Sequence, residues 1–257
     1  MPRLLCFTAH PDDEAGNFGG ALLHYAARDV ETHVVCLTPG QAATHRGGAK
    51  SEEELSAMRR QEFAVSCELL RVTRGAVLDY PDGKLDREDL YTVVGDLTQR
   101  IREVRPHVIV TMGPEGGITA HPDHALVSVF TTLAFHWAAR SDRYAGQLHA
   151  TARTPRAAGN GLKIHQAQKL YYASALFTLP GRPQVSLAPV TTTIELTAPE
   201  LEGKIAAFRC HLSQAPLFDR FEAIMRKRGR QEVFHLAASW TPHRAEQETD
   251  LFAGVKE

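Results

Sequence analysis

No run in this sequence approaches the roughly 18 consecutive apolar residues that a membrane span requires. There is no basic surplus: 29 Lys and Arg offset 30 Asp and Glu, for a net charge of −1. Nothing electrostatic therefore points to nucleic acid. The one basic run, Arg226-Lys227-Arg228 with Arg230, reads as a solvated helix end. No repeat with a period of about 20 to 50 residues is visible. Cysteine is scarce. Cys6, Cys36, Cys67 and Cys210 form no C-x-x-C pair, so nothing marks a redox or zinc-ribbon motif. Cys6 and Cys36 sit inside apolar runs and read as small buried hydrophobes. The apolar stretch after Met1-Pro2-Arg3 is too short for a secretory h-region and precedes no small-residue cleavage site. With free thiols, this predicts a cytoplasmic protein. A dinucleotide fingerprint is missing too. Gly16-x-x-Gly19-Gly20 lacks the G-x-G-x-x-G spacing, falls inside a predicted helix and follows three acids that would repel a pyrophosphate. A non-catalytic nucleotide-binding module is therefore disfavoured.

What the chain does have is apolar mass and alternation. Of 257 residues, 43% are hydrophobic, enough for a packed core and too many for global disorder. Strand-like Leu4–Thr8, Glu31–Leu37, Gly75–Tyr80 and His107–Met112 alternate with helical Ala15–Arg28, Ser51–Leu70, Asp86–Arg105 and Pro122–Ala138. Ser51-Glu52-Glu53-Glu54 is a capping-box start. This βα order predicts an α/β fold, Rossmann-like, with three αβα layers around a mostly parallel sheet. Later segments read as strands at Lys169–Ala173, Thr191–Leu196 and Gln231–Ala237 and a helix at Glu200–His211. They predict a smaller C-terminal α/β extension on the same core. Two loops are long and unpatterned, Thr38–Lys50 and Ser141–Gly161. Such loops are usually lids or disordered segments.

Two clusters carry the chemistry. Ala9-His10-Pro11-Asp12-Asp13-Glu14 follows the first strand, and His121-Pro122-Asp123-His124 follows the fourth. Both fall at the carboxyl edge of the predicted sheet, where such folds bind ligands. A catalytic zinc takes three protein ligands and keeps one position open. His10 and Asp13, three apart across a turn, can converge on one ion, and His124 can supply the third ligand. Asp12 points elsewhere and is free to act as general base. His121 can protonate a leaving amine or stabilise an oxyanion, with Asp123 orienting it. Helix capping alone would explain the acids of the first cluster. It leaves the second cluster unexplained, and no basic residue in the first segment offsets its three adjacent acids.

These motifs resemble the LmbE/PIG-L-type zinc-dependent N-deacetylases, which include the deacetylases of mycothiol and bacillithiol biosynthesis. Arg59-Arg60-Gln61-Glu62 resembles the family's Arg-x-x-Glu helix, and Leu78-Asp79-Tyr80-Pro81-Asp82-Gly83 its post-strand turn. Lys204 and His211-Leu212-Ser213-Gln214 resemble its C-terminal Lys and His-x-Ser-Gln segment. The resemblance implies zinc ligands at His10, Asp13 and His124, a general base at Asp12, and His121 as acid or oxyanion stabiliser beside Asp123. It places Arg59 near the substrate. Gln41 stands where members often carry Glu, and Thr119-Ala120 where some carry Tyr. Tyr171 and Tyr172 could substitute for that tyrosine, although strand packing is the plainer reading. The resemblance further implies one LmbE-like domain over 1–257, with a core at 1–140 and a lid loop and C-terminal layer at 141–257. It implies one Zn²⁺ per chain, although mixed N and O donors also accept other divalent metals. The expected activity is removal of an N-acyl, in particular N-acetyl, group from a small amino-sugar conjugate bearing N-acetylglucosamine. An amidase acting on a thiol-conjugate amide is the alternative. The sequence leaves open whether the chain is a monomer or a homo-oligomer.

Overall fold

The apolar run Leu4-Leu5-Cys6-Phe7 forms β1 (Arg3–Thr8), whose side chains alternate between two buried faces. A computed structural model describes residues 1–149, 161–177, 179, 186–241 and 247–256. After β1 come α1 (Asp13–Ala26), β2 (Glu31–Cys36), α2 (Glu52–Leu69), β3 (Arg74–Val77), α3 (Leu90–Val104), β4 (Val108–Thr111) and α4 (Pro122–Trp137). The C-terminal half adds β5 (Lys169–Ala173), β6 (Thr192–Glu195), α5 (Ala198–Phe208), α6 (Phe218–Arg228) and β7 (Gln231–Ser239). The strands make one seven-stranded sheet in the order β3-β2-β1-β4-β5-β7-β6. β3 through β5 pair parallel, and β7 runs antiparallel to both β5 and β6. The mostly parallel α/β fold is therefore as expected. The C-terminal strands extend the same sheet.

Leu4 and Cys6 face α1, α2 and α5 through Phe18, Phe63, Cys67 and Phe208. Leu5 and Phe7 face α3 and α4 through Val94, Leu97, Phe130 and Phe135. Burial on both faces explains why the central strands are continuous apolar runs. Ser51 caps α2, its side chain accepting the Glu54 N–H at 3.1 Å. α3 starts later than expected, because Asp89 rather than Asp86 is the cap and accepts the Thr92 N–H at 2.8 Å. α6 was not foreseen as an element, although its basic end is where the sequence placed a helix terminus.

Thr38–Lys50 is no free lid. Thr38 Oγ1 donates to the Ala9 carbonyl at 2.9 Å, and the Ala42 N–H donates to Asp82 at 3.0 Å. Gln214 donates to the His45 carbonyl at 3.2 Å. Of Ser141–Gly161, residues 150–160 lie outside the described residues. The turn at Ala145–Gln147 is held by Arg102, whose guanidinium reaches the carbonyls of Ala138, Arg140 and Arg143 and the Gln147 side chain.

Candidate metal centre and active site

β1 and β4 are neighbours, so the loops that follow them leave the same carboxyl edge. Asp13 closes the first loop with its own carboxylate: Oδ2 accepts the N–H groups of Ala9 at 3.2 Å and His10 at 2.9 Å. This tight turn leaves Asp12 at φ 120°. After β4 the chain passes through Gly116 at φ 86°, where a Cβ would lie 2.6 Å from the His121 carbonyl oxygen. Only glycine fits there. His121 then caps α4, its Nδ1 accepting the Asp123 N–H at 3.2 Å.

The two loops bring three imidazoles together. One ring nitrogen from each of His10, His121 and His124 lies within 4.8 Å of the others. Asp13 sits between two of them. Its Oδ2 is 3.5 Å from His10 Nδ1, and its Oδ1 is 3.2 Å from His124 Nε2. Thr119 Oγ1 lies 3.4 Å from the other nitrogen of His124. The far side of His10 is held as well: Nε2 is 3.0 Å from Asp82 Oδ1 and 3.2 Å from Asp123 Oδ2. Metal-ligating imidazoles are commonly oriented by such carboxylates. Buried imidazoles flanked by a buried carboxylate are a donor chemistry that fits a zinc-like divalent cation, and a second cluster, His10 with Asp82 and Asp123, also brings its ligand atoms within 4.8 Å of one another.

The electrostatics follow from burial and charge. Burial alone would lower the His10 pKa, but Asp123, Asp13 and Asp82 outweigh it and raise it well above the ordinary imidazole range. Burial would raise Asp13, but His124 and His10 drive it well below the usual carboxylate range. Asp12 is pushed up to about 6 by burial, against the pull of Arg59. His121 is lowered by burial and by the neighbouring His10 and His124. With Nδ1 accepting a backbone N–H, a neutral His121 presents Nε2–H as a donor.

Two expected residues have additional partners. The Asp123 carboxylate bonds residues other than His121. It accepts from His10 and from the Gly83 N–H at 2.7 Å. The capping bond to His121 uses the Asp123 amide instead, which leaves the side chain to the 82–83 turn. Arg59 was expected beside the substrate. Its side chain is only 3% exposed, and it grips Asp12 Oδ2 at 2.9 Å together with the Pro11 and Gly40 carbonyls. It therefore braces the Asp12 turn. The strand-packing reading of the tyrosines holds: Tyr171 bonds Glu248, and Tyr172 pairs with Thr132. Asp82 was missed as a site residue, its only signal being membership of the Pro81-Asp82-Gly83 turn.

A family model described as PIG-L, GlcNAc-PI de-N-acetylase, matches residues 5–135, just over half of the chain. This chain belongs to the PIG-L family. The match spans β1 through most of α4 and so contains every residue of the constellation. A mycothiol S-conjugate amidase of Streptomyces coelicolor is 30% identical over 171 residues, 60% of this chain and 58% of that protein. A 1D-myo-inositol 2-acetamido-2-deoxy-alpha-D-glucopyranoside deacetylase of Acidothermus cellulolyticus is 29% identical over 286 residues, 98% of this chain and 94% of that protein. The chain spans just over half the length of several curated relatives that it matches. Among solved structures, the N,N'-diacetylchitobiose deacetylase of Pyrococcus horikoshii superposes with a TM-score of 0.72 at 23% identity, covering 91% of this chain and 83% of that one. That likeness establishes the shared fold.

Proposed function

We propose that this PIG-L family member is a zinc-dependent N-deacetylase that releases acetate from a small conjugate of N-acetylglucosamine. The observation that carries the reading is the Asp13 carboxylate lying between His10 Nδ1 and His124 Nε2, with Asp12 and His121 alongside. His10, Asp13 and His124 would hold the cation, which when bound supplies Lewis-acid polarisation of the amide carbonyl and acidifies a water.

The chain's own residues do the rest. Asp12 accepts one proton of the attacking water and passes it to the departing amine nitrogen, so the amine leaves neutral and the acyl group leaves as a carboxylic acid, which gives up its remaining proton to solvent. Burial keeps the Asp12 proton affinity near neutrality. His121 Nε2–H donates to the developing oxyanion. Asp82 and Asp123 fix the tautomer and ring plane of His10. The chain works as one unit, a reading supported by the continuous sheet that joins 1–140 to the C-terminal layer. Four free cysteines fit a reducing, cytoplasmic setting. No helix among the described residues is long and apolar enough to cross a membrane.

The test is a panel of N-acetylglucosamine conjugates, including the inositol conjugate, assayed for released amine and acetate with zinc-loaded and chelator-treated protein. Amine release that chelator abolishes and zinc restores is the expected result. Zinc-loaded protein inert on the whole panel would sink the reading. The amidase match motivates a second arm, a mycothiol S-conjugate. Cleavage there alone would favour amidase activity.

A further inference from the structure

Behind the metal centre lies a second, fully buried cluster. Glu14 and His211 are both 0% exposed, although 197 residues separate them. His211 Nε2 lies 2.6 Å from Glu14 Oε1, and Ser66 Oγ donates to the same oxygen at 2.6 Å. The other oxygen, Oε2, accepts the backbone N–H of Asp12 at 2.9 Å. That amide belongs to a residue at φ 120° and ψ −26°, a conformation that side chains with a Cβ avoid. Such strain persists only where the surroundings over-determine it.

Capping of α1 does not explain this arrangement. An acid in the first turn serves the helix dipole equally well from the surface. Burying an ion pair is poor value for stability, since apolar side chains of similar size commonly do as well. What the pair uniquely supplies is direction. The rest of the segment shows how firmly its histidine is seated: the Ser213 N–H and Oγ both reach Glu62 at 2.6 Å.

We propose that the buried Glu14–His211 pair is the positioning device for Asp12, clamping the Asp12 peptide in its strained conformation so that the carboxylate held by Arg59 faces the reaction centre. The inference rests on the reading of Asp12 as the proton-transfer group. Arg59 grips the side chain and Glu14 grips the peptide; together they fix both ends of the residue.

The test compares His211→Leu, His211→Gln and Glu14→Gln with Ile205→Ala, a core change in α5 whose side chain packs in a separate small cluster with Leu201 and Met225. All are assayed at a temperature where circular dichroism shows them folded. His211→Leu and Glu14→Gln are expected to lower kcat about tenfold or more, as small misplacements of a reacting group do. KM and bound zinc should stay within about twofold of wild type. His211→Gln, whose amide Nε2 reaches the same oxygen, is expected to restore most of the rate. Ile205→Ala should lose stability and keep kcat. Hydrogen exchange across residues 9–16 gives a readout apart from activity: the Asp12 amide should exchange faster in His211→Leu and Glu14→Gln only. If His211→Leu does not fold, Glu14→Gln and His211→Gln carry the comparison. Unchanged exchange at Asp12 in Glu14→Gln, or a kcat loss that Ile205→Ala reproduces, overturns the clamp. An Asp12→Asn enzyme with wild-type turnover overturns instead the reading of Asp12 on which the clamp rests.

Discussion

Asp12 is the side chain on which turnover should depend most steeply. Asp12→Asn keeps the shape and removes the base, so kcat should fall by roughly 10² to 10⁴, the usual worth of a positioned proton-transfer group. Zinc content measured in parallel should stay stoichiometric, because Asp12 is not one of the three proposed ligands. Asp82→Asn tests a different link. It weakens the grip on His10 Nε2 and should lower zinc affinity by about 10- to 100-fold, read by chelator competition. Unaltered affinity would show that Asp123 alone orients His10. Most of this site was legible in the sequence, because His10, Asp12, Asp13, His121, Asp123 and His124 fall in two short runs and their spacing betrays convergence. Asp82 and His211 were not legible as site residues. Each acts across a long sequence separation on a partner in another part of the fold, and no local spacing encodes that contact.

At the scale of elements, the described parts of segments that look unpatterned in sequence are held by single buried side chains. Arg102 on α3 is 1% exposed and donates to five backbone carbonyls at the end of α4 and in the turn that follows. Replacing it orphans those acceptors. Arg102→Leu should therefore cost about 3 kcal/mol or more, measured by urea unfolding, since each buried unsatisfied group costs roughly 1–3 kcal/mol. A loss below about 1 kcal/mol would mean that water reaches the carbonyls. Gly40 plays the matching part for the other loop. It sits at φ 68°, and a Cβ there would lie 2.0 Å from the Arg59 guanidinium. Gly40→Ala should push Arg59 off Asp12 and depress kcat more than KM in steady-state assays; a change in KM alone would exclude that route. Helix starts were readable where capping chemistry is local, as at Ser51. The later start of α3 was not, since both Asp86 and Asp89 are plausible caps and Asp86 falls in a separate 3-10 turn, Leu85–Arg87.

For the whole molecule, acid sensitivity offers a test of how the halves are joined. His165 donates to the Pro106 carbonyl at 2.6 Å, and its amide reaches the Ala138 carbonyl at 3.0 Å, tying the chain ahead of β5 to the ends of β4 and α4. Burial holds its pKa down to about 4, with Arg105, His107 and Arg3 adding to the effect against the Pro106 bond. In the unfolded chain the imidazole titrates near 6.5. Between those values the unfolded state binds the extra proton. Its contribution is thus whole above pH 6.5 and is lost as pH falls toward 4. His165→Gln should show a shallower decline of the urea midpoint across that window, and an identical slope would exclude His165 as its source. The parallel half of the sheet was readable from βα alternation. The reversal at β7 was not, because apolar alternation does not encode strand direction.

The sheet order has a consequence for synthesis. β7 is made last yet lies between β5 and β6, and the segment that carries His211 also comes late. A ribosome therefore exposes all three proposed metal ligands while the sheet still has an open seam. A nascent polypeptide stalled before residue 211 owns His10, Asp13 and His124 but no mate for Glu14, so the proposed ligand set would be complete before the proposed clamp.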